Sequence, residues 1–388
     1  MSVTAFATPP SGVVVESRLH TAEFVFPGHP DKLSDAVADA IVEAAHALEP
    51  RGLVGVEVAV HRQHVFVTGR IAAQGARDLD VAALVRDVYR SAGYDRNWFP
   101  APEEVVVHED LCREPLLEGE DHYRECADDQ CICIGHANDL VATDHQPVEQ
   151  WFARRMARAL YALRWSAPLE LGPDGKVIVA VREQVDAAGR RTWTLEWFSA
   201  SLQKRAGLDE IALQREVQRV LAEELQRSAA ELPGFSSAMP ARVHLNGAGA
   251  FELGGPDGDN GLSGKKLVVD AYGTRVPIGG GAWSGKDFFK ADRAGGMHAR
   301  RLARLAVQLG LASEVTVTLG WFPGDRVARV LDAVDGRGRV LDLERLALNM
   351  DLTLRRSGET FSVPGLVEVA RWGHFADPNL PWERRLTL

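Results

Sequence analysis

Cysteine is scarce and clustered. The chain has four, Cys112, Cys126, Cys131 and Cys133, all in one short region. Their spacings are not those of a paired CxxC zinc site. Cys131 and Cys133 alternate with Ile132 and Ile134, so "CICIG" reads as a buried strand rather than a metal or disulfide site. Excess positive charge is also missing. Lys plus Arg number 44 against 54 Asp plus Glu, a net charge of −10. This balance argues against a general nucleic-acid partner, because such a surface neutralises phosphates with surplus cations. Any polyanion must be met by a local cluster of lysines and arginines. No apolar run reaches the roughly eighteen residues of a membrane span. The opening "MSVTAFATPPSGVVVESRLH" has no basic start followed by an apolar leader, which reads as a cytoplasmic protein with no membrane partner. Low-complexity tracts and repeats visible by eye are absent as well.

What is present is an ordinary globular composition. With 388 residues, 46% hydrophobic and 25% charged, the chain can bury a substantial core and should divide into two or three domains. "KLSDAVADAIVEAAHAL" puts Leu33, Ala36, Val37, Ala40, Ile41 and Ala44 on one helical stripe. "LVGVEVAVHRQHVFVTGRI" alternates like a hairpin around "HRQH". A helix follows over about 81–92, and then "HEDLCREPLLEGEDHYREC", acidic and irregular, reads as a mobile loop. After "CICIGHA" come a helix in "VEQWFARRMARALYALRW", strands on either side of "DAAGRR", a linker in "RSAAELPGFSSAMPA", a strand in "KKLVVDAYG" and a helix over 293–310. This order suggests α+β layers more than one doubly wound sheet.

Three stretches carry chemistry. In "FPGHPDKLSD", Pro30 at the first helical position places His29 at the cap and Asp31 and Lys32 in the first turn. That helix end attracts phosphate, His29 and Lys32 beside it would reinforce the attraction, and Asp31 could hold a Mg²⁺ shielding it; taken alone, the stretch reads more readily as a capped helix with a solvated turn. "LGGPDGDNGLSGKKLVVD" combines glycines that let a backbone approach a ligand with the Lys265–Lys266 pair, although a plain turn would use the same residues. "IGGGAWSGKDFFKADR" reads GxxxxGK from Gly280 to Lys286, a P-loop in all but its last residue, which is Asp287 in place of Ser or Thr. No strand directly precedes the glycines either, so a P-loop kinase or ATPase fails on context. Lys286 and Lys290, four apart, share a face and repel unless an anion lies between them.

Together and in this order, the three stretches are similar to the S-adenosylmethionine synthetase family. "GHPDK" stands at 28–32, "GGPDGDNGLSGKK" at 254–266 and "GGGAWSGKDFFKADRA" at 279–294, and the terminal "GHFADPNLPWE" at 373–383 also resembles the family. A "DQG" element is matched by Asp129 and Gln130, with Cys131 for its glycine. The resemblance runs from about Glu23 to Glu383. It implies transfer of the adenosyl group of ATP to the sulfur of methionine, with tripolyphosphate then hydrolysed in the same site.

By that resemblance His29 hydrogen-bonds the leaving oxygen, and Lys176, Lys266, Lys286 and Lys290 hold the phosphates, Lys290 also serving the amino-acid carboxylate. Asp31 and Asp292 each hold a Mg²⁺ and Glu57 a K⁺. Asp129, Asp174, Ser199, Phe251 and Ala282 fall on the ATP side, as does Lys265, which stands for an arginine. Asp259 meets both nucleotide and acceptor, and Glu23 falls on the acceptor side. The fold implied is three similar α/β-layered domains, about 20–110, 120–238 and 240–384, in pseudo-threefold arrangement. Flat mixed sheets would form the interface of a homodimer or homotetramer, with active sites at that interface.

One departure bears on specificity. Arg70, in "TGRI", replaces the family's glutamate near the substrate ammonium group, and a cation facing an ammonium is repulsive. ATP handling is therefore expected to be intact and methionine recognition altered. Methionine is only slightly favoured over another thioether or a carboxylate-bearing acceptor suited to Arg70. A weakly active partner subunit is the alternative from another class, against which the retained His29, Asp31, Lys286, Lys290 and Asp292 argue.

Overall fold

A computed structural model describes residues 12–165 and 170–385. Three sheets are present, each backed by helices that bury one apolar face. In the first, β2 (Leu53–His61) and β3 (His64–Ala72) form the expected hairpin, turning at Arg62 with φ 53°. The edge strand β4 (Val106–Glu114) runs parallel to β3, and the short β9 (Gly261–Leu262) joins β2. Val54, Val56, Val58, Val65 and Val67 point inward from this sheet. Helix α1 (Pro30–Leu48) and helix α2 (Val81–Ser91) bury Leu33, Val37, Ile41 and Val85 against them.

The second sheet has the order β1 (Val14–Val25), β6 (Leu171–Asp186), β7 (Arg191–Lys204) and β8 (Arg242–Leu245). It packs on α3 (Val148–Ala162) and α4 (Glu210–Glu231) through Phe24, Val177, Val179, Phe152 and Leu221. The third sheet orders β11 (Arg329–Asp335), β10 (Glu314–Trp321) and β5 (Cys131–Asn138). Its inner face lies on α6 (Ala291–Gln308) through Val315, Val317, Leu302 and Ala306.

The architecture is mixed α+β with several mixed sheets, as expected. The three stretches 20–110, 120–238 and 240–384 exchange strands. β1 pairs with β6, β5 with β10 and β9 with β2, so each sheet draws on more than one stretch. Among the described residues no helix is long and apolar enough to cross a membrane. Residues 1–11, which carry most of the expectation that a leader is lacking, lie outside the described residues.

Three local expectations need correction. The supposed mobile loop contains β4 and a 3₁₀ turn over Glu120–Arg124. β4 is exposed along much of its length, so no apolar alternation marks it. "KKLVVDAYG" holds a four-residue helix, α5 (Leu267–Asp270), in which Leu267, Val269 and Asp270 are all buried, the last against Lys32, so burial follows no strand alternation. The linker in "RSAAELPGFSSAMPA" begins only after α4 ends at Glu231. That helix went unread although Leu213, Val217, Val220, Leu221 and Leu225 recur at helical spacing.

Candidate active site

The N-terminus of α1 is built as its sequence requires. Pro30 occupies the first turn, and the His29 cap accepts the Asp31 N–H on Nδ1 at 3.2 Å. Tyr94 Oη donates to the Gly28 carbonyl at 2.7 Å, which fixes the preceding turn. Burial first, with Lys266 and Lys176 adding to it against Asp31, lowers His29 to a pKa of about 4. The ring is therefore neutral near pH 7. With Nδ1 occupied as an acceptor, its proton sits on Nε2.

Asp31 accepts the Leu262 N–H at 3.0 Å and pairs with Lys266 at 2.9 Å, and Lys265 lies 3.6 Å away. Burial alone would raise this carboxyl, but the hydrogen bonds from Lys266 and the Leu262 N–H, together with the Lys266 charge, outweigh it and hold the group below its usual range. Lys32, read as reinforcing the phosphate attraction, faces inward instead. It is fully buried between Asp270 and Asp35 and serves the core.

His29, Asp174, Lys176, Phe251 and Asp259 line one cavity of about 400 Å³ together with Asn246 and the glycines of 249–258. Lys176 is held by Glu23 at 2.5 Å. Asp174 accepts the Gly255 N–H at 2.7 Å, and burial raises its pKa to about 6. Ser201 lines this cavity. Ser199 sits two residues along the same strand, opposite Ile178, whereas Ser201 is opposite Lys176.

Asp129, Lys286 and Asp292 line a second cavity of about 600 Å³ with Cys131, Trp321 and Phe322. Lys286 Nζ meets Asp292 Oδ2 at 2.7 Å, and the Cys131 thiol donates to Asp292 Oδ1 at 3.0 Å. Gly281 must be glycine here, since any side chain would overlap the Asp292 carboxylate. Ala282 packs against Gly264, next to Lys265. Lys290 pairs with Asp128 at 2.7 Å, and its stem passes over Gly55. Asp287 points away from both cavities. It accepts the Val54 N–H at 2.7 Å, the Phe289 N–H at 2.8 Å and the buried Arg124 guanidinium at 2.9 Å, which makes it a structural clasp.

Arg70 does not stand as a bare cation. Its Nη2 donates to Glu120 Oε2 at 2.7 Å, and the same oxygen accepts the Leu117 N–H at 2.6 Å. Glu57 accepts the Ser263 hydroxyl at 2.9 Å on the outer face of the first sheet. The terminal motif is a clasp rather than a ligand set. Both Glu383 oxygens take Arg300 at 2.8 Å, and Trp382 Nε1 donates to the His374 carbonyl at 2.6 Å.

Among the described residues no three His, Cys, Asp or Glu side chains converge to hold a metal. Asp31 and Asp292 each offer one carboxylate facing lysines, which suits an ion that keeps waters and shares phosphate oxygens with its substrate. Glu57 and the Ser263 hydroxyl supply oxygen donors of the kind K⁺ accepts. Sequence reasoning missed Asp128, Glu120, Ser201 and Asn246. Asp128 directly precedes "DQ" and Glu120 lies in the acidic segment, so both were visible as charge but not as partners. Trp321 and Phe322 give no signal beyond the end of a strand.

Residues 17–110 match the family model described as S-adenosylmethionine synthetase, N-terminal domain, and residues 253–384 match the C-terminal domain of the same description. An S-adenosylmethionine synthase of Prochlorococcus marinus strain NATL1A is 32% identical over 398 aligned positions, covering 94% of this chain and 95% of the relative. Those of Methylobacterium radiotolerans and Deinococcus deserti are each 31% identical, covering 94% and 95% of this chain and 95% and 96% of theirs.

Proposed function

The chain belongs to the S-adenosylmethionine synthetase family, and on that premise we propose that it joins ATP and methionine by attack of the methionine sulfur on C5′. The S–C5′ bond forms as the C5′–O bond breaks, leaving a sulfonium and tripolyphosphate, which water then splits into phosphate and diphosphate. One observation carries this reading. His29 is a neutral Nε2–H donor at the mouth of a positively polarised helix end, lining a cavity with Lys176. Such a donor stabilises charge that grows on a departing oxygen and gives less to the ground state.

Lys176 lines the first cavity and Lys286 the second, Lys265 and Lys266 meet Asp31 two residues from His29, and Lys290 meets Asp128 next to Asp129, a set of cations of the kind a chain of phosphates needs. Mg²⁺ held by Asp31 and Asp292, with K⁺ at Glu57, would neutralise phosphate oxygens and order the site. Asp174, Phe251, Asp259 and Ala282 are proposed for the nucleotide, with Asp129 and Ser201 or Ser199 beside them. Glu23, Asp259 and Lys290 are proposed for the amino acid.

The set is divided between two cavities. This division supports a homodimer in which the first cavity of one protomer faces the second of its partner across flat sheets, and a tetramer is a pair of such dimers. The divisions 20–110, 120–238 and 240–384 are proposed as three strand-exchanging units. The Arg70–Glu120 pair supports methionine over an acceptor suited to a bare cation, because Arg70 already has a counter-charge. The test is incubation with ATP, methionine, Mg²⁺ and K⁺, with products read by mass. S-Adenosylmethionine with phosphate and diphosphate is expected, whereas ADP as the main product overturns the reading because it means attack at the γ-phosphorus.

A further inference from the structure

Asp31, Asp35 and Asp39 recur at every fourth residue of α1, so their side chains leave one face of the helix. All three are buried, among alanines, valines, Leu33 and Ile41. Each accepts a backbone N–H from a loop that carries lysines. Asp31 takes that of Leu262 at 3.0 Å, Asp35 that of Gly264 at 2.7 Å and Asp39 that of Gly285 at 3.1 Å. Gly264 directly precedes Lys265 and Lys266, and Gly285 directly precedes Lys286. Both glycines are left-handed, with φ 77° and 87°, so each loop turns where it is held.

We propose that Asp35 and Asp39 are positioning residues, which touch no substrate but hold the two lysine-bearing loops on α1 and so fix them relative to each other. Their effect on the reaction rests on the reading of the site as an adenosyltransferase. A lysine ammonium rides on a flexible four-carbon stem, so its place depends on how firmly the backbone at its root is fixed. Lys266 and Lys286 belong to separate loops, and α1 is the element that both loops grip. The Gly285 carbonyl accepts the Val56 N–H at 2.9 Å, so this residue is held from β2 as well.

Stability does not account for these carboxylates. Each needs a buried cation to offset its desolvation. Lys32 lies 3.4 Å from Asp35 and also meets Asp270, and the two Asp39 oxygens take Arg293 at 2.6 and 2.9 Å. Buried pairs of this kind are often no more stable than apolar residues of the same volume. What an apolar side chain cannot supply is an acceptor for the loop N–H, and a carboxylate makes that bond short and strong. Arg293 works to the same end, since its Nη1 also donates to the Lys286 carbonyl at 3.1 Å. Asp270 is the contrasting case. Among the described residues its carboxylate meets Lys32 and holds no N–H of either loop.

The test measures kcat and KM for ATP per folded protein, with amide hydrogen exchange of the peptides holding Gly264 and Gly285. Asp35→Ala and Asp39→Ala should each lower kcat at least about tenfold and change KM by less than about threefold, because displaced lysines still bind triphosphate but miss the transition state. Exchange should quicken in the Gly264 peptide for the first variant and in the Gly285 peptide for the second. Asp39→Asn keeps an acceptor for Gly285, and Asp270→Asn disturbs the Lys32 charge without touching a loop, so both should keep kcat within about threefold. Unchanged kcat in the two Ala variants, or a loss confined to KM, overturns the proposal. So does an Asp270→Asn enzyme as slow as Asp35→Ala, since the Lys32 charge cluster would then be what matters. Should an Ala variant not fold, the wild type still decides, because exchange at Gly264 and Gly285 as fast as in exposed turns means that α1 does not hold the loops. A wild type that makes no S-adenosylmethionine sinks the functional reading instead and leaves the loop anchors to be judged by exchange alone.

Discussion

Arg70 Nη2 and Glu120 Oε2 lie 2.7 Å apart, an ion pair that ties the 3₁₀ turn of the acidic segment to β3. Gly55 is Arg70's neighbour across the hairpin, and Lys290 lies over Gly55, so the pair stands beside the proposed acceptor side. Arg70→Glu opposes two carboxylates in a partly sheltered place. The expected cost is about 1 kcal/mol, or roughly fivefold in kcat/KM for methionine. Arg70→Glu with Glu120→Arg should recover most of it. A gain in methionine use by Arg70→Glu alone would restore the idea that Arg70 repels the ammonium.

Splitting the site between cavities gives a second expectation. Lys176→Ala and Lys286→Ala each disable a different cavity, and each alone should be inactive. Mixed and reassociated, half of the dimers are mixed and each of those keeps one intact site, so about a quarter of wild-type activity returns if sites form across a dimer. Activity that stays at zero in a verified mixed dimer would place the whole site within one chain.

The pH dependence separates His29 from Asp174 by sign. His29 has a folded pKa of about 4, below its ordinary 6.5, so between those values the unfolded chain binds the extra proton. Its stabilising contribution is full above about pH 6.5 and is lost as pH falls toward 4. Asp174, at about 6, is raised above 3.8, so the folded chain binds the extra proton and stability falls as pH rises through that window. Relative to wild type, His29→Gln should gain stability at pH 4.5, and Asp174→Asn at pH 7, each by at most about 3 kcal/mol. Denaturant midpoints at both pH values check this, and equal effects of each variant at both would refute it.

Restoring the P-loop residue should fail. Asp287→Ser leaves the buried Arg124 without its carboxylate, a loss of about 3–5 kcal/mol, and brings no hydroxyl to a phosphate because position 287 faces inward. Urea unfolding measures the loss. A variant as stable as wild type would mean that Arg124 finds water or another partner.

The sequence by itself determined the elements whose signals are local. Pro30 and His29 define the start of α1, alternation defines β2 and β3, and the glycine- and lysine-rich stretches carry the family resemblance. Hydrophobic period and cap chemistry act within a few residues, so they survive without the fold. Only the tertiary structure decided which charges meet. Lys32 turned out to serve Asp35 and Asp270, Asp287 to serve Arg124, and Arg70 to serve Glu120. Each partnership but Lys32–Asp35 joins residues distant in sequence. What selects it is desolvation, since a charge leaving water must take whichever counter-charge the packed sheets and helices bring within reach.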